Sequence, residues 1–220
     1  ATLKGLIARE PKNFDAIVTL GNIYRSNESF ADAATAYDSA IALIAGADEG
    51  RWRVYYYSGM AHERLKQWDI AEKQFRRALQ LSPNEASVLN YLGYSMIEKN
   101  INLQEALGMV KKAVELKPND GYIIDSLGWA YYQLGDYDQA VTNIERAVEL
   151  LPADPTIADH LGDAYWRVGR KLEAKFQWQH AIDNKPDPDE LKQIRDKMEK
   201  GLPEVPAVKP AQSATGQSNG

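Results

Sequence analysis

Small and apolar residues recur along this chain at helical spacing, and the same pattern returns about every 34 residues. In the clearest stretch Ile124, Leu127, Gly128 and Tyr131 fall at i, i+3, i+4 and i+7, one face of a helix. Ala140, Ile144 and Ala147 make a second such face, and Pro152 follows it. The glycines Gly21, Gly59, Gly93, Gly128 and Gly162 are 38, 34, 35 and 34 residues apart. Two alanine series keep the same beat, Ala33, Ala71, Ala106, Ala140, Ala174 and, seven residues behind each, Ala40, Ala78, Ala113, Ala147, Ala181. Prolines at 83, 118, 152 and 186 close four of the five units, since proline lacks the N–H and the steric room to continue a helix.

The pattern divides the chain into helix pairs at 14–47, 52–85, 86–120, 121–154 and 155–188. Residues 1–13 read as the end of a preceding repeat helix, and 189–200, with Leu191, Ile194 and Met198 at helical spacing, as the capping helix that an array needs over its last apolar face. Residues 201–220 are rich in Pro, Ala, Ser, Gln and Gly and are expected to be a disordered tail. A glycine inside a helix costs about 1 kcal/mol relative to alanine, so five at one phase imply close helix packing that offsets the cost. Ala45 stands where the first unit lacks its proline, next to an added loop at 48–51, and a looser joint is expected there.

These periods and small-residue positions resemble the tetratricopeptide-repeat (TPR) family, whose unit is about 34 residues. The resemblance implies an all-α fold, a TPR α-solenoid: a right-handed superhelix of antiparallel helix pairs whose first helices line a concave surface where peptides or protein segments bind. If positions 4, 7, 8 and 11 of a unit face its second helix, positions 2, 5, 9 and 12 form the adjacent stripe. Candidate groove residues are then Asn22, Tyr56, Met60, Asn90, Tyr94, Asp125, Trp129, Tyr132, Asp159, Asp163 and Trp166. Aromatics of this kind dominate interface hot spots, although at helical spacing they also serve as core, and the three aspartates read individually as solvated charges.

The chaperone-binding subclass of TPR proteins resembles a carboxylate clamp with Lys then Asn at positions 5 and 9 of its first unit. Asn22 is present here, but Val18 replaces the lysine and the later positions hold Tyr122 and Ser126, so no such clamp is expected. The runs Asn90 to Tyr94, Asp125 to Trp129 and Asp159 to Asp163, with Trp178, look like bacterial cell-envelope TPR lipoproteins, some of which are adaptors for a processing protease. That resemblance implies a periplasmic or outer-membrane-associated location, with the cytoplasm as the alternative.

Charge and chemistry narrow the field. A net charge of −5 lacks the basic footprint of a nucleic-acid binder. No cysteine is present, which removes disulfides and thiolate metal sites, and no apolar run is long enough to span a bilayer. His62 reads as a packing residue, and His160 and His180 lie on different helices without the spacing of a metal pair. The glycines stand singly inside helices rather than in a phosphate loop, and Asp136 and Asp138 are placed in an inter-helix turn as caps. No catalytic residue, metal or cofactor is implied. The expected role is a protein-binding scaffold or adaptor whose partner is a protein or peptide, a protease or a Lys/Arg-bearing segment among the candidates. A self-associating module, monomer or weak homodimer, and a substrate-selecting accessory of an enzyme are the alternatives.

Overall fold

A computed structural model describes residues 2–44, 46 and 48–204, and among these the chain forms twelve helices and no strand. A short helix α1 (Leu3–Arg9) precedes five pairs: α2 (Phe14–Ser26) with α3 (Phe30–Leu43), α4 (Trp52–Arg64) with α5 (Trp68–Leu81), α6 (Ala86–Glu98) with α7 (Leu103–Leu116), α8 (Gly121–Gln133) with α9 (Tyr137–Leu150), and α10 (Pro155–Arg167) with α11 (Lys171–Asp183). Helix α12 (Pro188–Lys200) follows, with Ile194 fully buried.

The periodic marks are the contacts that build this array. All ten alanines of the two series are 0% exposed, so each marks a point where helices close on one another without room for a larger side chain. The five repeat glycines are seats for one large residue of the paired second helix. A Cβ on Gly21 would lie 2.6 Å from Tyr37, on Gly59 2.6 Å from Phe75, on Gly93 2.7 Å from Val110, on Gly128 2.3 Å from Ile144 and on Gly162 2.4 Å from Trp178. The close approach that offsets the glycine's helical cost is therefore between a bare backbone and a bulky side chain of the paired helix.

Caps set the element limits. Asp120, Asp136 and Asp154 accept hydrogen bonds from the amides of Ile123, Gln139 and Ile157, at the starts of α8, α9 and α10. Asp138 lies two residues further on, in the first turn of α9 rather than in the inter-helix turn. Between the helices of each pair the chain passes through a left-handed conformation, at Glu28, Lys66, Asn100, Gly135 and Gly169 in order, with Asn102 a second such residue between α6 and α7, and only the last two of the series are glycine.

The first inter-pair joint is not the loose one. Asp48, in the added loop, accepts from the Tyr55 hydroxyl at 2.8 Å and from Arg77 at 2.6 and 2.9 Å, which ties the loop to α4 and α5. Helix α3 packs closely on α4, whereas α5 meets α6 more sparsely than α7 meets α8 or α9 meets α10. The extra residues supply an anchoring carboxylate, which the reading of the missing proline as slack overlooked.

The C-terminal part also departs from expectation. Residues Gly201 to Pro203, assigned from composition to the tail, return onto α10, and Leu202 packs with the second core cluster. The remainder of that tail, 205–220, lies outside the described residues.

Candidate functional site

First helices touch one another across pairs (α2 with α4, α6 with α8, α8 with α10) more closely than second helices do, which places the first helices on the inner side of the array's curvature. The predicted stripe runs along this line, but its residues fall into three groups with different surroundings.

At the N-terminal end the stripe is structural. Asn22 accepts a hydrogen bond from the Tyr37 hydroxyl at 2.9 Å, inside its own helix pair. Tyr56 sits in an aromatic cluster with Trp52, Tyr57, Phe75 and Tyr91, at ring separations of 5.4 to 6.2 Å, and burial pushes its hydroxyl up to about 12. Met60 packs against the same core.

At the C-terminal end the carboxylates are neither solvated nor free. Asp159 and Asp163 are 7% and 5% exposed, which corrects their reading as surface charges. Lys197 of α12 donates to both, at 2.7 and 2.8 Å, and the Trp178 indole N–H donates to the other oxygen of Asp163 at 2.9 Å. Burial, followed by the neighbouring charge of Asp163, holds the Asp159 carboxyl above the ordinary range, and one of its oxygens has no hydrogen-bond partner. Trp166 packs on Trp178 at 5.3 Å and is covered by Gly201.

A stacked ladder links the two ends. Trp129 lies between Tyr132 (4.6 Å, 6° between planes) and His160 (4.0 Å, 11°), and its indole N–H donates to Glu98. His160 Nδ1 is 3.0 Å from both oxygens of Asp125, itself only 6% exposed. Burial alone would lower the histidine's pKa, but Asp125, then Asp159 and Asp163, outweigh it and hold it near 9, so the ring is a buried imidazolium. Asp125 is thus committed to its neighbour helix.

Between these regions the line opens. A cavity of about 240 Å³ lies across α6, α8 and α10, lined by Asn90, Tyr91, Tyr94, Tyr122, Asp125, Ser126, Asp154, Thr156 and Ile157. Asn90 Oδ1 is buried and has no donor, a state that costs about 1–3 kcal/mol when nothing fills it. Burial, then the charges of Glu98, Asp125 and Glu190, push the Tyr94 hydroxyl far up, so it remains a neutral donor. Tyr122 is 59% exposed, a large aromatic face at the cavity's edge. The cavity is lined by Asn90, whose side-chain oxygen is buried and unpaired, and by three aromatic rings in negative potential. Among the described residues no group of three or more His, Asp or Glu is gathered to hold a metal.

Of the predicted residues, Asn90, Tyr94 and Asp125 come together here, and Trp129, Tyr132 and Asp125 form the ladder beside them. Thr156 and Lys197 were missed, although each stood in phase: Thr156 is position 2 of its unit, and Lys197 lies 34 residues after Asp163, so that α12 continues the series of first helices.

Fold and site together define a helical-repeat scaffold, an all-α solenoid with an open cavity along its inner line. Residues 52–85 match the family model for the tetratricopeptide repeat and residues 128–169 the model for the TPR repeat, so the chain carries TPR repeats in an all-α TPR fold. Such repeats act generally in protein–protein interaction. Among solved structures, YrrB, described as "a TPR protein with an unusual peptide-binding site", is 20% identical with a TM-score of 0.63, covering 89% of this chain and 98% of that one. PilF of Pseudomonas aeruginosa is 18% identical with a TM-score of 0.68, covering 87% and 89%. The Cut9–Hcn1 structure of the APC/C is 18% identical with a TM-score of 0.75, covering 91% of this chain and 38% of that one. No curated protein matches the sequence. No described helix is long and apolar enough to cross a membrane.

Proposed function

We propose that this chain is an adaptor that takes an extended protein segment along the line of its first helices, centred on the cavity across α6, α8 and α10. The observation that carries this reading is the Asn90 side-chain carbonyl, buried at the cavity without a donor. A peptide N–H or a Lys/Arg side chain supplies what it lacks, and the rings of Tyr94 and Tyr122 with the nearby carboxylates favour a cationic side chain over an anionic one. YrrB, similar in fold, is itself described as having a peptide-binding site, which supports the same mode here. The work done is to hold partners together and raise effective concentration.

Trp129 and Trp166 are both packed against neighbours, so their truncation would disturb the fold and report poorly on binding. Asn90→Ala and Tyr122→Ala are the informative changes. Binding of a library of labelled extended peptides is measured by fluorescence anisotropy, with helicity checked by circular dichroism. Selection of Lys/Arg-bearing peptides, weakened roughly tenfold or more by the double variant, is the expected result. Peptides that bind both proteins equally would sink the assignment.

We place the adaptor in the bacterial envelope, in the periplasm or at the outer membrane, with a processing protease as partner, on the strength of the three short runs in α6, α8 and α10. Cell fractionation checks the location, and co-purification with and without Asn90→Ala checks the partner. A second reading, self-association, draws on Leu172 and Phe176, which stand one turn apart on α11 at 86% and 70% exposed. Sedimentation of Phe176→Glu against the parent chain distinguishes it, since a concentration-independent monomer in both removes that reading.

A further inference from the structure

Beyond the last helix pair the chain treats its own inner face as a ligand would. After α12, Gly201 adopts a left-handed conformation (φ +72°) and lays its backbone on the Trp166 indole so closely that a Cβ there would stand 2.1 Å from a ring carbon. Two residues on, the Pro203 carbonyl accepts a hydrogen bond from Arg167 Nη1 at 2.6 Å. Arg167 is held ready for that carbonyl because its Nε donates to the Tyr132 hydroxyl at 3.1 Å, at the end of the Trp129 ladder. Leu202, between them, enters the core cluster. An aromatic floor, an oriented side-chain donor for a main-chain carbonyl and an apolar notch are the parts of a subsite for an extended, proline-containing peptide.

We propose that Gly201–Pro203 is a cis ligand of this subsite, closing the C-terminal end of the inner face until a partner segment with the same small–Leu–Pro backbone displaces it. The inference rests on reading that face as a binding groove, and it adds that the end nearest α12 is self-occupied. Selectivity there comes from shape and the carbonyl contact, since Arg167 reads main chain, while the charge preference lies at the central cavity. The tether acts as a local competitor. External peptide therefore sees an apparent affinity reduced by the fraction of time the subsite is free.

The test uses the full chain and an N-terminally fluorescein-labelled Gly-Leu-Pro-Glu peptide, the sequence of residues 201–204, which lacks the cationic side chain that the central cavity prefers. Gly201→Val forces the backbone off the indole, and it lies after the last helix, so it leaves the helix pairs intact. Binding of the probe by Gly201→Val roughly tenfold or more tighter than by the parent chain is expected, and reversal of that gain in Gly201→Val, Arg167→Ala. A probe that binds parent and Gly201→Val equally, or neither, overturns the proposal. As a second measurement, Arg167→Ala in the parent background speeds tryptic cleavage after Lys200 if the contact holds the segment, and an unchanged rate counts against it. The tryptic readout uses no external peptide and so does not depend on the central cavity, which lets failure of the cavity and failure of the cis ligand be seen separately.

Discussion

Gly128→Ala is a sharp test of how the repeat is held together, because elementary propensity and packing give it opposite signs. In a helix interior alanine is better than glycine by about 1 kcal/mol. At Gly128, however, the added methyl would stand 2.3 Å from Ile144 Cγ1 and 3.2 Å from both Ile144 Cδ1 and the Ala140 carbonyl oxygen, so α8 and α9 must move apart. Such overpacking costs about 1–3 kcal/mol. Gly108, exposed in mid-α7 with nothing within 4 Å of its added methyl, supplies the control in which only the propensity gain operates. Gly128→Ala should therefore fall below Gly108→Ala by about 1–3 kcal/mol, the helix-forming gain cancelling in the comparison. Urea unfolding followed by circular dichroism measures both, with the slope compared because a repeat array can lose cooperativity when one joint weakens. Ile144→Ala alone should cost about 2–5 kcal/mol, and less in the Gly128→Ala background, where the new methyl enters the vacated space. If Gly128→Ala stabilises as much as Gly108→Ala, the glycine is not a seat and the account of the repeat fails.

The buried imidazolium gives a pH signature. With its pKa raised from 6.5 to about 9 in the folded chain, His160 contributes stability that is complete below pH 6.5 and is lost as pH rises through 9, in total about 3 kcal/mol. Urea midpoints at the two ends of that window should show the loss, and Asp125→Asn should flatten it; an unchanged midpoint in the parent chain contradicts the charged ladder. Lys197→Met deprives Asp159 and Asp163 of the ammonium that bonds both and should cost about 3–5 kcal/mol, read as lost hydrogen-exchange protection in α12, while Lys200→Ala, whose ion pair with Asp196 is exposed, should change protection by less than about 1 kcal/mol. Lys66→Gly, at a left-handed turn position that Gly135 and Gly169 fill in later pairs, should stabilise by about 1 kcal/mol in the same urea assay, and a loss there would mean that the lysine side chain matters more than its backbone strain.

The fold was legible because its causes are local and repeated. Five copies of a glycine and two alanines, four of them closed by a proline, carry the same packing instruction, and a motif averaged over five units tolerates departures such as Val110 where Ile144 or Phe75 stands elsewhere. The site was legible only as a stripe. Phase along a helix says which residues face the inner line, but it cannot say how far apart neighbouring first helices stand, and that distance decides what a side chain on the stripe does. Where α10 and α12 approach, Asp159 and Asp163 are consumed by Lys197; where α8 and α10 approach, Asp125 and Trp129 are consumed by His160. Where α6, α8 and α10 leave a gap, the stripe retains an unfilled acceptor on a residue that lines open space, at Asn90. Compensation across helices also explains why the aspartates were misread as surface charges, since their partners lie 34 to 38 residues away, close to one full repeat. In a solenoid the residue most informative about a candidate contact is therefore the one standing a repeat further along the chain. A polar stripe residue whose counterpart there cannot satisfy it is the one left for a partner.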